Sequence, residues 1–174
     1  VYIGLDHFAK PEDELNRARL ERGLHRNFQG YTTRAECDLI GFGVSAIGKI
    51  GDAYVQNHHS IKAYGERIEA GELPVDKGFD LSREDVIRRE VIMAVMCSMP
   101  IDFNAFEARY GKRFEVCFAD ELARLEPYAE AGLLEVDAQS LRVLPKGRVF
   151  VRAIAMVFDQ YIGRPRSARY SRLI

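Results

Sequence analysis

Apolar and polar positions follow two different rhythms along this chain, and the change falls near residue 80. Val1 to Asp6 is apolar enough for a buried strand of a parallel sheet, and Glu12, Asp13 and Glu14 after Pro11 suit a helix start, because acids favour the positive end of the helix dipole. That helix is expected to stop near Gly23. Cys37 to Phe42 reads as a second short strand, and Ala53 to Gln56 as a segment able to pair. Ile61, Tyr64 and Ile68 repeat at helical spacing up to Gly71, which gives the order of a β-α-β remnant.

From Asp80 the pattern becomes helical. Ser82 followed by Asp85 opens a helix with a capping box, expected to reach Met99, and its second half, VIMAVMC, is apolar on every face and must be buried. Pro100 breaks it. Asp102 caps a short helix carrying Phe103, Phe106 and Tyr110, which Gly111 closes in a left-handed conformation. A third helix spans about 118 to 131 and ends at Gly132; LLEVD and LRVL make a two-stranded ribbon; residues 146 to 162 return to helix. Three helices, a hairpin and a further helix is the order of a winged-helix body.

A chain of 174 residues with 47% hydrophobic and 29% charged residues makes one globular body or two small ones. The formal net charge of -1 gives no electrostatic reason to expect nucleic acid or membrane, no run is long and apolar enough to span a bilayer, and the cytoplasm is the default location. Cys37, Cys97 and Cys117 are odd in number and far apart, so they form neither a disulfide framework nor a compact metal site, and all three are expected reduced and mostly buried. The chain opens on Val1, in what reads as the middle of a fold, and is expected to be a fragment of a longer protein.

The segment HRNFQGYTTRAECDLIGFGVSAIGKIG, residues 25 to 51, holds glycines at 30, 41, 43, 48 and 51 and little periodicity. Such density costs backbone entropy, and a chain tolerates it where main chain approaches a ligand. Two motifs inside it are decoys. Gly43-x-x-x-x-Gly48-Lys49 resembles a phosphate loop, but Ile50 stands where the hydroxyl that holds magnesium belongs. Gly41-x-Gly43-x-x-Ala46 resembles a dinucleotide fingerprint, but no acidic residue follows at the distance a ribose contact needs.

Together with IGLDHFAKPEDEL at 3 to 15, and on to the last residue, this segment resembles the oxygen-independent coproporphyrinogen III oxidase (dehydrogenase) family of radical S-adenosylmethionine enzymes. The resemblance implies a mixed α/β architecture: residues 1–79 as the last part of a partial β/α barrel carrying the glycine-rich ligand segment, and 80–174 as a helical, winged-helix-like domain. It implies an iron-sulfur cluster of four irons and four sulfurs and two molecules of S-adenosylmethionine. Ile47 in GVSAIG falls where the family contacts the second of these, packing on adenine or the methionine chain, with Gln29 in NFQGYT placed to orient it and Gly43 and Ala46 beside it. Read from the residues alone, Ile47 is equally a core residue and Gln29 a loop cap.

The implied chemistry is one-electron reduction of S-adenosylmethionine to a 5'-deoxyadenosyl radical, which takes hydrogen from a propionate side chain. Loss of carbon dioxide and an electron leaves a vinyl group. Done twice, this converts coproporphyrinogen III to protoporphyrinogen IX in haem biosynthesis, with an unidentified electron acceptor and a monomeric protein expected. The Cys-x-x-x-Cys-x-x-Cys loop that such a cluster needs does not occur in this sequence, so the cluster ligands are expected outside it and the fragment alone inactive.

Other residues leave alternatives open. His25 and Arg26 suit the carboxylates of a porphyrinogen, or a solvated loop. Asp6 and His7 suit proton transfer, or the capping of a strand end. His58 and His59 diverge in an extended chain and read as surface. Arg164, Arg166, Arg169 and Arg172 make a solvated basic tail or a cover for a polyanionic substrate. A winged-helix order also serves DNA binding, which the acidic third helix opposes, and a haem-handling relative of the family is a further reading.

Overall fold

The computed structural model describes residues 1–162, so the arginine-rich tail lies outside the described residues. The first part holds β1 (Tyr2–Gly4), β2 (His7–Phe8), α1 (Glu14–Leu20), β3 (His25–Asn27), β4 (Gly30–Thr32), β5 (Ile47–Ile50), β6 (Ala53–Asn57), α2 (Ile61–Glu69) and β7 (Val75–Asp80). The second holds α3 (Arg83–Met96), β8 (Ile101–Asp102), α4 (Phe103–Tyr110), α5 (Phe114–Cys117), α6 (Ala119–Glu130), β9 (Leu134–Val136), β10 (Ser140–Val143), a 3-10 turn (Pro145–Phe150) and α7 (Val151–Met156). The chain is a mixed helix and sheet structure whose described residues form no closed barrel.

The opening strand corrects the expectation of a parallel sheet. β1 turns back through Leu5, at φ 48, and pairs antiparallel with β2. The other sheets are antiparallel too, in the orders β3-β4, β5-β6-β7 and β8-β10-β9. β6 and β7 flank α2, with β7 not foreseen from its largely polar and exposed residues, and they run in opposite directions. The strand expected over Cys37 to Phe42 is a loop with a single bridge, Leu39 to Lys49. Close approach explains it: a Cβ on Gly41 would lie 2.9 Å from that of Ala46, and one on Gly48 would lie 2.8 Å from the Leu39 carbonyl oxygen, so the glycines let this loop lie flat on β5.

Helix ends follow their caps. Asp13 accepts from the Leu15 amide, which starts α1 at Glu14 rather than at Pro11. Ser82 and Asp85 form the capping box of α3, and that helix ends at Met96. Asp102 caps α4, and Gly111 closes it at φ 68. The expected helix over 146–162 divides into the 3-10 turn and the short α7. Arginines from two other helices take its last carbonyls: Arg124 Nη2 donates to Val157 O at 2.7 Å and Arg88 Nη1 to Phe158 O at 3.0 Å, so no further helical turn is needed to satisfy them.

Two apolar clusters hold the molecule. The larger gathers α3 to α7 around Phe103, Phe114, Phe118 and Phe158, with Phe103 and Phe114 stacked at 4.6 Å. The smaller joins Ile3, Leu24 and Tyr31 to Cys97, with Met93 and Met99 packed against it. It fastens the first part to the far end of α3, an attachment reinforced by the Tyr31 hydroxyl, which donates to Met96 O at 3.0 Å. As the apolar run required, no residue from Val91 to Cys97 is exposed.

Candidate functional site

Two adjoining cavities lie along α3. The larger, about 770 Å³, is lined by Ile47, Phe28, Tyr54, Gln56, Phe79 and Phe158 among others. The smaller, about 530 Å³, is lined by His25, Arg26, Lys49, Arg109 and Arg152 together with Met96 and Met99. Phe28, Tyr54, Arg89, Ile92, Met93 and Asp159 line both. The wall between them is therefore two aromatic rings on one side and one face of α3 on the other.

Strand register places the first group. Ile47 opens β5 opposite Gln56 of β6 and lines the larger cavity. Gln56 steadies the approach to β5, its Nε2 donating to Ser45 O at 3.1 Å. Gly43 and Ala46 line neither cavity, because their main-chain groups are held within the loop. Gly43 N donates to the Tyr64 hydroxyl at 3.1 Å, Gly43 O accepts from Asn57 Nδ2 at 2.9 Å, and Ala46 O accepts from Asn57 N at 3.0 Å. Gln29 sits at the tip of the β3-β4 hairpin with its side chain exposed and its amide bonded to Asn27 Oδ1. Neither decoy motif opens a helix: the first ends inside β5, and β5 follows the second.

The cationic group is placed by β3. His25 is half-buried; burial and then the nearby Lys49 charge lower its pKa below the usual 6.5, so it is held neutral and offers one N–H and one lone pair. Arg26 donates its amide to Met93 Sδ at 3.2 Å and lays its guanidinium over the Tyr31 ring at 5.7 Å. Its Nε is sealed without a hydrogen-bond partner, as is Nη1 of Arg89. A sealed donor left unpaired costs about 1–3 kcal/mol, so such groups call for a partner of opposite character.

Arg89 was not legible as a site residue. The only signal is its place one helical turn before Met93, on the same face of the helix. Phe28, Tyr54 and Gln56 were missed for a similar reason, since nothing local marks a hairpin-tip or strand residue as facing a cavity. Asp6 and His7 line neither cavity; they bond to each other at 2.9 Å, and His7 packs edge-on against Tyr31.

Metal chemistry finds no ligands here. Among the described residues no three His, Cys, Asp or Glu side chains gather. Burial pushes the Cys97 thiol up to about 12, far from a thiolate. Cys37, expected buried, is exposed, because the loop that carries it never joins a sheet. Cys117 is partly buried.

Comparison with known proteins reveals close relatives. Residues 81–150 match the HemN C-terminal domain. Oxygen-independent coproporphyrinogen III oxidase of Salmonella typhimurium is 45% identical over 174 residues, 99% of this chain. The chain belongs to the oxygen-independent coproporphyrinogen III oxidase family. The oxidase of Synechocystis is 43% identical across 100% of the chain. A solved structure of Escherichia coli coproporphyrinogen III oxidase (HemN), titled as that of a radical SAM enzyme, superposes with a TM-score of 0.88 at 44% identity and covers 93% of the chain. The chain spans 38% of the length of the two oxidases and 37% of the solved one. In this coproporphyrinogen oxidase fold the matched domain begins at the start of α3, so the cavities lie where it meets the preceding sheets.

Proposed function

We propose that this chain serves, within a longer enzyme, the oxygen-independent oxidative decarboxylation of coproporphyrinogen III to protoporphyrinogen IX in haem biosynthesis. The observation that carries this is 45% identity to a coproporphyrinogen III oxidase along 99% of the chain, joined to a cavity lined by Arg26, Arg89, Arg109 and Arg152. When bound, S-adenosylmethionine and a four-iron four-sulfur cluster supply the radical chemistry. The cluster finds no ligands among the described residues, so we place them outside this chain.

The residues here bind and orient. Ile47, with Phe28 and Tyr54, offers an apolar and aromatic wall to the adenine or methionine chain of a second S-adenosylmethionine, with Gln29 at the neighbouring hairpin tip as a polar contact. Gly43 and Ala46 act through the Asn57 clamp, which fixes the loop leading into Ile47. Arg26, and His25 as a neutral donor, meet propionate carboxylates. Residues 1–79 are read as the last part of a partial β/α barrel and 80–174 as a winged-helix-like lid; the order helix, strand, three helices, strand, strand with sheet order β8-β10-β9 supports the second half of that reading.

We place the protein in the cytoplasm as a monomer, passing electrons to an acceptor still to be identified, and without nucleic acid. Asp120, Glu126 and Glu130 are exposed on α6, and Arg124 is occupied by main-chain oxygens, so that helix would repel phosphate. The decisive experiment is anaerobic turnover by the full-length protein with S-adenosylmethionine and a reductant. Protoporphyrinogen IX is the expected product; stable haem binding without turnover would replace this reading with a haem-handling one. Removing residues 80–174 from that protein should abolish porphyrinogen binding, and intact binding would end the lid assignment.

A further inference from the structure

The smaller cavity holds two arginines that the fold leaves half satisfied. Arg26 makes no ion pair among the described residues: its guanidinium rests on the Tyr31 ring, and Nε is sealed without a partner. Arg89 is held by Asp52, to whose Oδ1 its Nη2 donates at 2.8 Å, and stands beside the Tyr54 hydroxyl, while its Nη1 is sealed without a hydrogen-bond partner of good geometry. Met93 brings the two together, because its Sδ accepts from the Arg26 amide at 3.2 Å and it stands one turn after Arg89 on the same face of α3. Structures seldom leave such donors unmatched, and a guanidinium fork matches a carboxylate best.

We propose that Arg26 and Arg89 together form a receptor for one carboxylate of the tetrapyrrole, with Arg89 as a specificity-determining residue. The inference rests on the coproporphyrinogen reading and deepens it. Rotation of each guanidinium about its terminal torsions turns the unpaired N–H toward a carboxylate in the cavity. Met93, Met96 and Met99 line the same cavity, and flexible thioethers adapt to a broad macrocycle that hangs from its acids.

Coproporphyrin III, the stable oxidised form of the substrate, provides a fluorescent probe for the full chain. Arg26→Met and Arg89→Met are each expected to weaken its binding about tenfold or more, as loss of a charge-assisted bond does. Arg89→Lys should recover only part, because lysine keeps the charge without the fork. Arg142→Met, on the exposed pair with Glu135, should change nothing. His25, which lines the same cavity and whose titration senses Arg89, gives a second readout by NMR: ligand bound at the arginines should move its imidazole signals in the parent and in neither methionine variant. Unchanged coproporphyrin affinity in Arg26→Met and Arg89→Met, both folded by circular dichroism, would overturn the receptor while leaving the coproporphyrinogen reading in place. If S-adenosylmethionine rather than coproporphyrin moved His25 in the parent alone, the tetrapyrrole assignment would be overturned. If the parent bound no coproporphyrin yet glutarate moved His25 through the same arginines, the underlying coproporphyrinogen reading would be what fails.

Discussion

Phe28 and Tyr54 meet edge to face, ring centroids 5.3 Å apart at an interplanar angle of 88°, and both rings line both cavities. The contact joins the tip of one hairpin to the middle strand of another sheet, so it sets the width of the wall that separates the two cavities.

Tyr54→Ala should therefore lower stability by about 2 kcal/mol, from lost ring contact and a cavity left behind. Tyr54→Phe should retain most of it. Urea unfolding checks both, and equal stability of the alanine and phenylalanine variants would show that the ring contact contributes nothing.

Arg88 and Glu121 form a second pair, at 2.7 Å, with side chains only 14% and 10% exposed. Removing one partner leaves the other only partly compensated, Arg88 by Glu84 and Phe158 O and Glu121 by Arg124 at 3.6 Å. Arg88→Met or Glu121→Leu alone should cost up to about 3 kcal/mol, whereas the double replacement Arg88→Met with Glu121→Leu should recover much of that loss. Chemical denaturation of the four proteins as a double-mutant cycle measures the coupling.

The titration of His25 has a definite sign. Its pKa in the folded chain lies below 6.5, through burial first and the Lys49 charge second, so charging it costs more in the folded than in the unfolded state. The stabilisation is complete above pH 6.5 and declines as pH falls from there through the folded value. NMR titration should place the His25 midpoint below that of an exposed histidine, and His25→Asn should flatten the stability profile over the same window.

Two glycines should respond in opposite ways to a methyl group. A Cβ at Gly147 would overlap the Leu133 carbonyl oxygen, and backbone cannot step aside, so Gly147→Ala should cost at least about 1–3 kcal/mol. Gly65 lies inside α2 with nothing near its missing Cβ, and Gly65→Ala should add about 0.5–1 kcal/mol. Thermal unfolding of the two variants should move in opposite directions from the parent.

What the sequence alone determined is what depends on neighbours along the chain. The Ser82–Asp85 box, the Asp102 cap, the left-handed Gly111 and the helix stop at Gly132 were all legible, because a cap needs only residues three or four apart. So was the burial of VIMAVMC, since a run apolar on all faces has nowhere else to go. The family, too, was legible in short motifs. Tertiary structure alone decided strand direction, because β1 is apolar whether its partner runs parallel or antiparallel, and the turn at Leu5 makes the choice. It alone ended the last helix, where Arg88 and Arg124 reach its carbonyls from other helices. And it alone brought Arg89 to Arg26: residues 63 positions apart share a cavity only because β3 lies against α3, and no local pattern records which donors a fold will leave unpaired.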